Sequence, residues 1–337
     1  MSASNETFES SVICEVVPEL ALGRVELEEE AHSQPLLPQS VELKALTRHL
    51  KAFLILTKPE ITLMVMISAG VATLMASDAL RVGVLFNSVL GTGLLGAGAS
   101  ALNQYLEREA DGRMRRTSRR PLPAGYLTAR RALLFGVSLS AGGSVYLLLK
   151  LNALTAQLGL FTLISYLFIY TPLKKRTRLC TPLGAFPGAA PILIGWAAAG
   201  NSLAIEAWAL YAILLLWQFP HFYAIGWLYR EDYARAGMLM LPAVEEDDGK
   251  NTFQLILIST QLLIIASLLL KFVAPTGNLY LLSAVVLGLS FYYFAHQAAL
   301  SRSKPAAKRL LHASVIYLPL LYLFMLLDKV YLWAKAG

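Results

Sequence analysis

Apolar residues in this chain gather in runs of about 20 or more, separated by short polar connections. A helix rising about 1.5 Å per residue needs about 20 such residues to cross a hydrocarbon core roughly 30 Å thick. Runs of that length fall at about 53–76, 82–107, 130–150, 154–173, 181–200, 205–229, 253–273, 279–299 and 309–333. The pattern predicts an all-α membrane protein with about nine transmembrane helices. Gly91-Thr92-Gly93 and Gly184-x-x-Pro187-Gly188 interrupt two of the runs. Membrane helices accept such residues because neighbours satisfy the freed backbone and small side chains permit close approach.

Composition agrees with the pattern. Of 337 residues, 56% are hydrophobic and only 15% charged, where a soluble chain has about 25% charged. A water-soluble enzyme, a disordered chain and a coiled coil are excluded. Cys14 and Cys180 stand far apart, so neither a disulfide framework nor a zinc site is indicated. Residues 1–50 differ: they are polar and carry nine carboxylates, among them Glu26, Glu28, Glu29 and Glu30. They lack the apolar segment of a signal peptide, and their acidity is foreign to a transit peptide. This stretch is expected to be a disordered acidic extension, with residues 51–337 forming the transmembrane domain.

The net charge of +7 points to topology and not to a nucleic-acid partner. Nineteen of the 29 Lys and Arg residues lie in the connections after spans 2, 4, 6 and 8, and five in the opposite connections and the C-terminal end. The positive-inside rule therefore predicts a cytoplasmic N-terminus and four cytoplasmic basic loops, in a bacterial cell the inner membrane.

Two groups of polar residues stand where the spans meet these loops. Span 2 ends in Asn103-x-x-x-Glu107-x-x-x-Asp111. On a helix these three spread over about 80° of one face and about 12 Å of its length. A helix C-terminus disfavours carboxylates by roughly 0.3–1 kcal/mol, so a hard cation such as Mg²⁺ is the expected partner. Five arginines follow between Arg113 and Arg120, of which Arg116 and Arg120 have the spacing of a guanidinium pair suited to phosphate. Topology alone accounts for some of these arginines, but not for the acids. Span 6 then runs through Pro220-His221-Phe222 to Asp232, a second carboxylate at a basic helix end. His221 is an ionisable group inside a span, which marks function by default. Lys174, in Tyr170-Thr-Pro-Leu-Lys174, adds a cation between spans 4 and 5.

These motifs resemble the UbiA family of intramembrane prenyltransferases over roughly residues 50–333. The resemblance rests on Leu56-Thr-Lys58-Pro59-Glu60 and on Asn103-x-x-x-Glu107-x-x-x-Asp111-x-x-Met114-x-Arg116-Thr117-x-x-Arg120-Pro121-Leu122. It continues with Leu193-Ile-Gly-Trp196 and with Gln218-x-Pro220-His221-Phe222 leading to Asp232-Tyr233-x-x-Ala236-Gly237. The Met-x-Arg-Thr-x-x-Arg-Pro run and the Pro-His-Phe segment favour the branch that modifies heme. Ser100 and Cys180 stand where many members have Asn, and Ala190 and Leu239 where Pro is usual.

The resemblance implies a nine-helix bundle around a central cavity. It implies transfer of a farnesyl group from farnesyl diphosphate to a vinyl group of heme B, giving heme O for terminal oxidases, with heme A synthase or an oxidase assembly as a further partner. Asn103, Glu107, Asp111 and Asp232 would hold Mg²⁺ and act in catalysis. Arg116, Arg120, Lys174, His221 and Tyr233 would bind substrate, and Tyr105, Tyr166, Tyr170 and Phe222 would turn aromatic faces to an allylic cation. A different aromatic or tetrapyrrole acceptor is the alternative within the family.

Overall fold

A computed structural model describes residues 39–200 and 202–336. In chain order the helices are α1 (Gln39–Leu56), α2 (Pro59–Ala76), α3 (Val82–Arg113), α4 (Ala129–Lys150), α5 (Ala153–Ile164), α6 (Thr171–Leu173), α7 (Cys180–Ala189) and α8 (Pro191–Gly200). They continue with α9 (Ile205–Leu228), α10 (Arg230–Arg235), α11 (Leu241–Val244), α12 (Lys250–Val273), α13 (Asn278–Ser301) and α14 (Lys304–Ala336). A π-helical turn, Ser165–Tyr170, joins α5 to α6. Among the described residues there is no strand, and nine stretches are long and apolar enough to cross a membrane. Large side chains such as Phe161, Phe168 and Phe272 point outward, which a lipid surround makes favourable and water does not.

The spans fall where the apolar runs predict, with differences at the ends. The first begins at Pro59, because Thr57 and Lys58 form a turn that closes α1. Helix α3 runs on past 107 to Arg113, carrying all three polar residues of its stripe in one helix. The expected disorder of residues 1–38 lies outside the described residues. Residues 39–50, assigned to the same extension, are instead helical within α1. The larger compact unit begins at Lys44. No Gly or Pro interrupts residues 39–58, so nothing local stops a helix there.

Close packing is achieved through glycine. The span formed by α7 and α8 is the most enclosed, with 61% of its apolar window buried against 17% for Ala153–Leu173. It lies against α2 at Gly195, where an added Cβ would sit 2.0 Å from the Ala69 carbonyl oxygen. Thr73 Oγ1 lies 2.9 Å from the Gly195 carbonyl and 2.8 Å from that of Ala69, seaming the two helices. Backbone on both sides cannot yield, so Gly195→Ala is expected to cost about 1–3 kcal/mol. A lowered midpoint of thermal unfolding in detergent would show it, and an unchanged midpoint would refute the contact.

The connections after spans 2, 4, 6 and 8 gather at one end of the bundle. The Arg116 amide donates to Asp232 Oδ2 at 3.2 Å, and the Leu239 amide donates to the Lys174 carbonyl at 2.7 Å. Trp227 Nε1 donates to the Arg302 carbonyl at 3.1 Å. This basic face holds the polar residues singled out above.

Candidate active site

Four elements meet around α3. Asn103, Glu107 and Asp111 are all buried on one stripe of that helix, as its periodicity requires. The turn before α2 is tied down to it: Gln104 Nε2 donates to the carbonyls of Leu56 at 2.9 Å and Ile55 at 3.3 Å. Lys58, held in the left-handed conformation (φ 46°), then sends Nζ to Asn103 Oδ1 at 3.1 Å. A non-glycine residue in that region costs on the order of 1–3 kcal/mol, which the surrounding contacts offset. Burial, together with the Arg120 and Lys174 cations, brings the Lys58 ammonium down to about 7.

The π turn sets the orientation of Asn103. Thr171 directs its one hydroxyl proton to the Tyr166 carbonyl at 2.9 Å, and its backbone N–H meets the same oxygen. Its Oγ1 must therefore accept from Asn103, at 3.2 Å from Nδ2. That choice turns the amide oxygen of Asn103 toward Lys58 and the site. Such π turns recur at functional sites. The same turn sets Tyr166 beside Tyr170, ring centres 5.4 Å apart and the planes tilted by 37°, and places Tyr170 under Lys174 Nζ at 4.6 Å.

Each carboxylate faces a cation. Lys174 Nζ lies 2.8 Å from Glu107 Oε1. Burial opposes the charged Lys174, but Glu107, Tyr170 and Tyr166 outweigh it and hold its ammonium well above the ordinary lysine value. Arg120 Nη1 donates to both oxygens of Asp111, at 2.9 and 2.8 Å. Asp232 pairs with Arg235. Arg116 lies with its guanidinium 4.8 Å from the Tyr229 ring centre and 5.9 Å from that of Tyr233, and its Nη2 is 3.3 Å from the Tyr233 hydroxyl.

Residues 114–127 form turns and not a helix, so Arg116 and Arg120 are not stacked as their spacing predicts. They serve two different partners, Arg120 at the end of α3 and Arg116 at α10. A cleft of about 380 Å³ opens beside the second, lined by Arg115, Arg116, Leu228, Tyr229, Glu231, Asp232 and Arg235. His221 lies apart from both, on α9, which continues unbroken through Pro220. Lys58, Gln104, Thr171, Tyr229 and Arg235 join the site without having been given roles from the sequence. Only Lys58 carried a local signal, a lysine before proline at the start of a span.

The donors suit a hard divalent cation. Among the described residues no three His, Cys, Asp or Glu side chains stand together as a metal cage. Magnesium needs no such cage, since one or two carboxylates with phosphate and water oxygens suffice. Glu107 Oε1 is buried and lacks a well-aligned hydrogen-bond donor despite the nearby Lys174, which leaves it a lone pair to offer. Asn103 Oδ1 and the Asp111 carboxylate are oxygen ligands of the same kind.

A polytopic helical bundle gathers at one end the oxygen donors and cations that a metal-bridged anion would need. The comparisons give it a family. The sequence profile of the UbiA prenyltransferase family matches residues 63–326, and the chain belongs to that family. It is 48% identical over 293 residues to the protoheme IX farnesyltransferase of Solibacter usitatus, covering 83% of this chain and 99% of that one. The fold is similar to that in a structural study of digeranylgeranylglyceryl phosphate synthase, with a TM-score of 0.69 at 18% identity, covering 84% of this chain and 99% of that one. A UbiA homologue from Archaeoglobus fulgidus, solved with GPP and Mg²⁺, superposes with a TM-score of 0.58 at 13% identity, covering 81% of this chain and 99% of that one.

Proposed function

We propose that this prenyltransferase moves the farnesyl group of farnesyl diphosphate onto a vinyl group of heme B, giving heme O. The near-complete coverage of a relative named protoheme IX farnesyltransferase, at 48% identity, carries the choice of acceptor. The paired acids and cations on α3 and α10 support the diphosphate half of the reaction. Asn103, Glu107, Asp111 and Asp232 would hold Mg²⁺ together with phosphate oxygens, and the bound ion would supply charge neutralisation at the leaving group.

The chain's own part begins with the cations. Arg116, Arg120, Lys174 and Lys58 present guanidinium and ammonium groups to an anion entering between α3 and α10. As the farnesyl C1–O bond breaks, its electron pair goes to the diphosphate, and fixed cations stabilise the growing charge. The terminal vinyl carbon of heme then bonds to C1. Water adds to the resulting cation beside the porphyrin and releases a proton, which leaves the hydroxyethylfarnesyl group. Tyr166 and Tyr170, with Tyr170 under Lys174, turn aromatic faces to the allylic cation. Apolar walls keep water from capturing that cation early. The basic loops lie in the cytoplasm by their charge, in a bacterium at the inner membrane.

Membranes containing the chain, given heme B, farnesyl diphosphate and Mg²⁺, are expected to yield farnesylated heme by mass spectrometry. Transfer to another acceptor with heme left unmodified would overturn the assignment.

A further inference from the structure

His221 is the one site residue left without a task. Its ring stacks on Trp217 at 4.6 Å between centres, and its Nδ1 lies 2.8 Å from Ser314 Oγ on α14. The Ser314 hydroxyl has a single proton, which it directs to the Leu311 carbonyl at 2.7 Å. Ser314 Oγ must therefore accept, and His221 Nδ1 must donate. Trp217 closes the arrangement by donating Nε1 to the Ser314 carbonyl at 2.8 Å. One tautomer results: the proton is on Nδ1, and the lone pair is on Nε2 at the opposite edge of the ring.

Among the described residues Nε2 has no hydrogen-bond partner, and it is absent from the buried, unsatisfied atoms, so it is not fully enclosed. A neutral imidazole that donates one N–H and leaves the other nitrogen free is the arrangement of a metal ligand. A general base would have to hold a proton on both nitrogens. Among the described residues no carboxylate bonds to this ring to stabilise that charge, and the aromatic neighbours Trp217 and Phe222 do not supply one. The ring lies eight residues before Tyr229, about 12 Å along the helix from the Arg116 end of the diphosphate site.

Resting on the heme reading above, we infer that His221 Nε2 is the axial ligand of the heme iron. Ser314 is a positioning residue that fixes the tautomer. Coordination places the macrocycle deeper in the bilayer than the diphosphate, so that a vinyl group is presented toward the basic face.

The test is a titration of the purified full chain in detergent with ferric protoheme, followed by optical and EPR spectra. The parent is expected to show nitrogen-ligated heme. His221→Ala should lose that spectrum and bind heme at least about tenfold more weakly, and Ser314→Ala should weaken binding by about tenfold. Added imidazole should restore the ligated spectrum to His221→Ala, which also shows that the variant is folded. Metal-free protoporphyrin should bind parent and His221→Ala alike. A parental spectrum in His221→Ala, or an equal loss of affinity for the metal-free porphyrin, would overturn iron ligation. Failure of the parent to bind either tetrapyrrole would instead overturn the heme reading, and the ligation with it.

Discussion

Asp111→Asn is expected to lower the rate of farnesyl transfer by roughly 10²–10³-fold, the loss that follows removal of one preorganised charge-stabilising group. The substitution keeps the shape of a side chain that is only 1% exposed, so folding should survive. It removes the charge that fixes Arg120, whose Nη1 contacts both carboxylate oxygens, and it replaces an anionic oxygen ligand by a weaker neutral one. Two effects therefore act together. The maximal rate falls, and the Mg²⁺ concentration for half-maximal rate rises. Mass-detected turnover across a Mg²⁺ series measures both. A variant within threefold of the parental rate, with an unchanged Mg²⁺ requirement, would remove Asp111 from the mechanism.

Lys174→Met is expected to damage stability as well as activity. Glu107 and Lys174 are 9% and 12% exposed, and a charge stripped of its partner in such surroundings costs about 3–5 kcal/mol. Pairing the change with Glu107→Gln removes both charges together. The double variant should regain most of the lost stability, because replacing a buried ion pair by neutral groups is often close to neutral. It should remain inactive, since a cation and an anionic metal ligand are both lost. Unfolding midpoints of the parent, the two single variants and the double variant form a cycle that isolates the pair. An additive cycle would show that the two groups do not interact.

Much of this was legible from the chain because lipid imposes a simple pattern. Nine apolar runs gave nine spans, and the Asn103, Glu107, Asp111 spacing held because all three ride one helix. Features that depend on tertiary partners were not legible. Asn103 finds Thr171 across 68 positions and His221 finds Ser314 across 93, and no local pattern announces either pair. The arginine run misled for a related reason. A spacing of four implies stacking only on a helix, and Pro121 and Pro123 belong to a segment of turns. Helix α1 was hidden by the acidic residues upstream of it, whose composition was extended across a boundary it does not share. Leu239 shows the reverse. At a place where the family resemblance leads one to expect proline, its N–H bonds to the Lys174 carbonyl, a link proline cannot make.

The π turn at Ser165–Tyr170 also works as a phase adjuster. An extra residue in a helix shifts the facing of everything after it by about 100°. Wound as an ordinary helix with no residue removed, the same segment would swing Thr171 and Lys174 away from α3 by about that angle; the wider turn absorbs the extra residue and holds their aim. The apolar span would still be long enough to cross the bilayer. The aim of the residues at the end of this stretch is thus set by the wider turn and not by the thickness of the membrane: a residue lost within the turn leaves that aim intact, and one lost from the α-helical part before it would turn Lys174 aside while the span still crosses the bilayer.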